Sequence, residues 1–116
     1  MKALNTGLAI CFLLAGCTSS NNIEFEGYFT YGHEVSSFKM CNDSKEYWLS
    51  GEGMEVITQA SLSLADVRNE PYQPVYINFS GFFDSREAVG FAEDYDGLIY
   101  LDKLLKYSEQ FPLGCE

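Results

Sequence analysis

The sequence predicts a mainly β fold with one helix, built as a small, partly open barrel of five strands over residues 23–116. Three observations predict it. A long apolar alternation over residues 23–40 changes parity partway. A single helical period over residues 54–68 lies between glycines and prolines. Beyond residue 74, apolar alternation resumes and is punctuated by turn residues.

In the first stretch Ile23, Phe25, Phe29, Tyr31 and Val35 share one parity, and Glu24, Glu26, Thr30 and Glu34 share the other, as a half-buried strand requires. The apolar parity then moves to Phe38 and Met40. A one-residue shift turns every side chain to the opposite face, so a bulge or bend is expected within residues 32–37. A long bent strand can serve two sheets at once, as barrels require. After the turn Asn42-Asp43-Ser44, residues 45–50 form the next strand, with Tyr47 and Leu49 on one face and Trp48 on the other.

Gly51-Glu52-Gly53 breaks that strand. From Met54 to Arg68, Ile57, Ala60, Leu64 and Val67 recur at spacings of three and four, which predicts one amphipathic helix ended before Pro71 and Pro74. Val75, Ile77 and Phe79 alternate with Asn78 and Ser80 in a strand over residues 75–84, and Gly81 permits a kink before Phe82-Phe83. Residues 88–95 read as a short strand, turned by Asp96-Gly97 as a hairpin into a last strand that starts at Leu98. Five strands and one helix suggest the OB type of barrel, with the helix displaced to the position between strands two and three.

The first residues are a targeting signal. Lys2 supplies the positive start, residues 8–15 the apolar run, and Ala15-Gly16 the small residues before a cleavage point. The run is far shorter than the roughly 20 residues that span a bilayer. Leu14-Ala15-Gly16-Cys17 resembles the lipobox of bacterial lipoproteins. The resemblance implies removal of residues 1–16, a diacylglyceryl thioether on Cys17 and an acylated amino group. Two or more acyl chains, palmitate among them, anchor a protein stably in a membrane. Thr18, rather than Asp, implies transfer to the outer membrane facing the periplasm, with residues 17–22 as a polar tether.

Cleavage would leave 100 residues, one domain, with 6 basic and 17 acidic side chains. That charge repels phosphate backbones, so nucleic acid is not an expected partner. With Cys11 removed and Cys17 lipidated, Cys41 and Cys115 remain, and in the oxidising envelope a Cys41–Cys115 disulfide is expected. The rival reading is a reactive thiol or soft-metal pair, for which no further ligand lies near either cysteine. Over residues 27–115 the scattered pattern of an aromatic first strand, Phe38 with Cys41, helix, Pro74-Val75, Gly81-Phe82-Phe83 and a late cysteine resembles the C-terminal OB-like domain of the NlpE family of envelope lipoproteins. The resemblance implies an outer-membrane domain closed by one disulfide, in a family tied to surface sensing and envelope stress. The N-terminal domain of that family, with its Cys-x-x-Cys motif, has no counterpart here.

No catalytic, cofactor or metal-ligating set is expected. His33, the only histidine, reads as a core or edge residue bonded to backbone, with Glu34 on the opposite face. Placing Gly97 at the sixth position of a calcium loop puts Ala92 first and Lys103 twelfth, where carboxylates are needed. Tyr28, Trp48, Tyr76 and Phe82 oppose the core-facing parity and form the candidate binding cluster. The expected function is therefore non-enzymatic binding of an envelope protein or glycan. The alternatives are inhibition of a basic hydrolase such as lysozyme, motivated by the acidic charge, and an enzyme acting on peptidoglycan or thiols through His33 or residues 93–96.

Overall fold

The computed structural model describes residues 22–115. The expected signal, Cys17 and the tether up to Asn21 lie outside the described residues. Five strands and one helix follow in chain order: β1 (Ile23–Gly32), β2 (Val35–Met40), β3 (Tyr47–Gly51), α1 (Met54–Arg68), β4 (Val75–Asp84) and β5 (Leu98–Ser108). The strands close into a barrel in the order β1-β2-β3-β5-β4, with β4 returning to β1. Only β3 and β5 pair in parallel. This is an OB-like barrel, and its helix lies between β3 and β4, where that fold places it.

Two sequence expectations change together at the first strand. The parity switch is not a bend within one strand but a hairpin: Gly32 pairs with Val35, and His33-Glu34 form the turn between them. A two-residue loop sets an odd-numbered residue opposite an even one, as in Phe29↔Phe38, so the inward parity must change. Val35 consequently points outward. Counting β1 and β2 separately restores the usual position of the helix. The turn lacks an Asn-Gly signature and places only Glu34 in the left-handed region, at φ 60°.

The barrel is closed rather than partly open. β1 pairs with β4 from Ile23↔Gly81 to Phe29↔Val75 and with β2 from Gly27↔Met40 onward, so its middle is bonded on both sides. Gly27 makes this possible, because a Cβ there would strike the backbone of Lys39 and Met40. Residues 88–95 are not a strand; a 3-10 helix covers Gly90–Asp94. Asp96-Gly97 is likewise no hairpin turn, because no strand precedes it to pair with β5. Instead the Asp96 N–H donates to the Glu46 carbonyl and the Trp48 N–H to the Gly97 carbonyl, which zips β5 onto β3.

Phe25, Phe38 and Phe79 pack ring to ring inside the barrel, with the Phe25 and Phe79 centroids 5.0 Å apart and those of Phe38 and Phe79 5.1 Å apart. Phe29, Leu49, Val75, Ile77, Ile99 and Leu101 complete this buried layer. The helix plugs one end. Its buried stripe is Ile57, Ser61 and Leu64, while Val67, expected on that face, is 82% exposed. Ser61 is fully buried: its Oγ accepts from the Tyr31 N–H (3.0 Å) and donates to the Gln73 carbonyl (2.7 Å), joining helix, β1 and the approach to β4. Asn69 ends the helix at φ 55°, and the N–H groups of Asn69 and Glu70 satisfy the carbonyls of Asp66 and Ala65.

Candidate binding groove

The outer faces of β1 and β2 carry three cross-strand rows: Tyr28 with Lys39, Thr30 with Ser37, and Gly32 with Val35. These rows floor a groove of about 420 Å³, bounded by Glu46 before β3 and by Tyr72 and Pro74 before β4. Its volume lies within the roughly 300–1,000 Å³ of ordinary small-molecule sites. Among the described residues Lys39 is the one cation that lines it, and Glu46 accepts a hydrogen bond from the Ser37 hydroxyl.

Two tyrosine rings wall the groove. Tyr28 rests against Phe111, with ring centroids 4.7 Å apart. Phe111 belongs to the segment that follows β5 and returns to Cys41, where a Cys41–Cys115 disulfide fixes it with the Cα atoms 4.5 Å apart. Asn42 Nδ2 also donates to the Gly114 carbonyl (2.6 Å), so the segment is held by both bonds. At the other end stands Tyr72, 46% exposed, in the left-handed region at φ 60°. A Cβ on Gly32 would collide with the Tyr72 ring, so the glycine leaves the space in which the ring lies over β1. A bulky residue at such a φ costs roughly 1–3 kcal/mol, a strain sustained only where the surrounding structure imposes it.

The four aromatic candidates do point away from the core layer, but the barrel divides them among three places. Tyr28 and Tyr76 are cross-strand neighbours on β1 and β4. Tyr76 is only 5% exposed and donates to Glu26 Oε1 (2.6 Å). Burial, reinforced by that hydrogen bond and by the charges of Glu26 and Glu24, pushes its hydroxyl up to about 12. Trp48 stands two strands away under the edge of Tyr95, at 5.3 Å. Burial also raises the Tyr95 hydroxyl, with the Glu46 charge adding to it. Phe82 stacks on Tyr100 at 5.2 Å, across the β4–β5 pair. The expected single platform therefore does not form, and only Tyr28 lines the groove.

His33 is corrected as well. It sits at the exposed hairpin tip, its side chain 84% accessible, and its Nε2 lies 3.2 Å from Glu34 Oε2, because turn residues escape the alternation that separates neighbours in a strand. Among the described residues no three His, Cys, Asp or Glu side chains converge as metal ligands, and no helix is long and apolar enough to cross a membrane. Sequence reasoning missed Thr30, Ser37, Lys39, Glu46 and Tyr72 as groove residues. The signal for the first three was the parity switch, once it is read as a hairpin; Tyr72, set between Pro71 and Pro74, gave none. No family model, curated protein or solved structure matches this chain.

Proposed function

We propose that this chain is a non-enzymatic lipoprotein of the bacterial outer membrane, anchored through Cys17 and facing the periplasm, whose barrel binds an envelope protein or glycan. The observation that carries the binding role is the groove on β1 and β2: two tyrosine walls around a polar floor, at the side of a closed barrel. The lipobox-like Leu14-Ala15-Gly16-Cys17 supports the anchor. The disulfide and the OB-like barrel agree with the resemblance to the C-terminal domain of the NlpE family, which favours a part in envelope stress sensing. Mass spectrometry of the native protein is expected to find an acylated cysteine at its amino terminus. A photo-crosslinker at position 30 is expected to capture a partner in intact cells that the same group at exposed position 103 on β5 does not; equal capture at both positions removes the binding role.

The net charge of −10 favours a second reading, in which the barrel blocks a basic hydrolase such as lysozyme. Undiminished lysozyme activity at micromolar concentrations of the protein excludes it.

A further inference from the structure

The groove's chemistry narrows its occupant. This inference rests on the groove being the binding surface, and it names the class of ligand. Tyr72 over Gly32 and Tyr28 lie four residues apart along β1, about 13 Å at roughly 3.3 Å per residue. Between them the floor offers the Thr30 hydroxyl, the Ser37 hydroxyl, which donates to Glu46 and so is left to accept, one cation, Lys39, and one carboxylate, Glu46.

We propose that the groove takes a neutral oligosaccharide, one ring packed on Tyr72, with its hydroxyl and amide groups on Thr30, Ser37, Lys39 and Glu46. A sugar hydroxyl both donates and accepts, so one chain satisfies a cation, a carboxylate and two hydroxyls without carrying charge itself. The flat apolar face of a pyranose fits a tyrosine ring that is half exposed. An anionic glycan meets Glu46 and a chain of net charge −10. A peptide gains most by adding to a free strand edge, and beneath this groove the main chains of β1 and β2 are already paired to each other. The strained backbone of Tyr72 fits the same picture, since it sets the ring where the rest of the groove needs a wall.

The test is a nuclear magnetic resonance titration of the purified protein with tetra-N-acetylchitotetraose, and with tetragalacturonate as a charged chain of the same length. The neutral sugar is expected to shift Tyr28, Thr30, Ser37, Lys39 and Tyr72, with an affinity that added salt leaves unchanged, while the charged chain binds more weakly. Tyr72→Gly suits the left-handed φ and so folds; it is expected to weaken binding about 10-fold, whereas Tyr72→Phe keeps it within about 2-fold. No shift at about 10 mM sugar, or equal binding by Tyr72→Gly, overturns the proposal. If the sugar fails while the crosslinker at position 30 captures an envelope protein, the saccharide assignment falls and the groove stands; if both fail, so does the binding role.

Discussion

The two ends of the barrel are closed by different means. At the end where β1 meets β2 in the hairpin, helix α1 lays Ile57 and Leu64 on the core, and Ser61 ties Tyr31 to Gln73. At the other end Cys41 leaves β2 and is joined to Cys115, which draws the last segment back along the outside of β1. One closure is a noncovalent plug formed by a continuous helix; the other is a covalent clasp that carries little apolar area of its own. The groove runs along β1 and β2 from one to the other, with Tyr72 at the plug and Tyr28 beneath the clasped segment. Its two walls therefore depend on separate supports, and each can be loosened alone.

The largest effect is expected from the clasp. Replacing Cys41 and Cys115 by serine removes a crosslink between residues 74 apart in sequence, which loop-closure entropy values at about 4 kcal/mol. Chemical denaturation should show that loss, and hydrogen exchange should quicken first at Cys41, whose N–H donates to the Glu26 carbonyl, and at residue 115, while α1 keeps its relative protection. At the plug, Ser61→Ala removes a fully buried hydroxyl and leaves the part-buried Tyr31 N–H and Gln73 carbonyl without it, at a cost of about 1 kcal/mol. Here exchange should quicken first in α1 and in the residues before β4. If both variants loosen the whole barrel evenly, the two ends are one cooperative unit and the contrast between them fails.

The same contrast governs what the sequence disclosed. The plug was legible: the bounds of α1 match the period from Met54 to Arg68, and those of β4 match the alternation from Val75 to Asp84. The helix's buried face keeps Ala60 against the core and takes in Ser61 beside it, because the hydroxyl has two backbone partners that no hydropathy pattern reveals. The clasp was legible only through the count of cysteines. What failed were features set by long-range pairing. Residues 88–95 lack a neighbouring strand because β5 spends both its edges on β3 and β4, so their apolar content folds into a 3-10 turn with Ala92 buried. The candidate cluster failed for a related reason: parity assigns a face, whereas strand order and register decide which outward rings are neighbours; Trp48 lies two strands from Tyr28, and Phe82, though on the adjoining β4, lies six residues beyond Tyr76 and faces Tyr100.

Titration separates the ends further. Tyr76, beside Tyr28 on the outer face, holds its proton up to about pH 12, above the ordinary tyrosine value of 10. A folded value raised above the unfolded one stabilises fully below pH 10, and that contribution is lost as pH rises from there through 12. Alkaline denaturation of Tyr76→Phe should therefore be less steep than that of the parent over this window, and absorbance near the phenolate band should show one tyrosine fewer titrating late. Equal alkaline limbs in the two proteins would mean that burial and the Glu26 hydrogen bond do not hold the proton in place.

The smallest effect is expected at the clasp end, where β4 finishes. The Arg86 guanidinium donates to Asp84 through Nε, which reaches both carboxylate oxygens, and through Nη2 at 2.6 Å, and the Arg86 N–H donates as well, which together hold the Asp84 carboxyl below its ordinary range. A depressed folded value stabilises above the unfolded value of 3.8 and is lost as pH falls through the folded one, so this pair works against acid where Tyr76 works against alkali. Arg86 is exposed, and solvent screens most of the attraction. Asp84→Asn should thus leave the midpoint of unfolding at neutral pH almost unmoved and slightly flatten the acid limb. The more sensitive measurement is exchange at residues 84–88, which should quicken at neutral pH in the variant and, in the parent, only once the carboxyl is protonated. Acid acceleration that begins in α1 instead would place the weaker end of the barrel at the helix and reverse the ranking of the two closures.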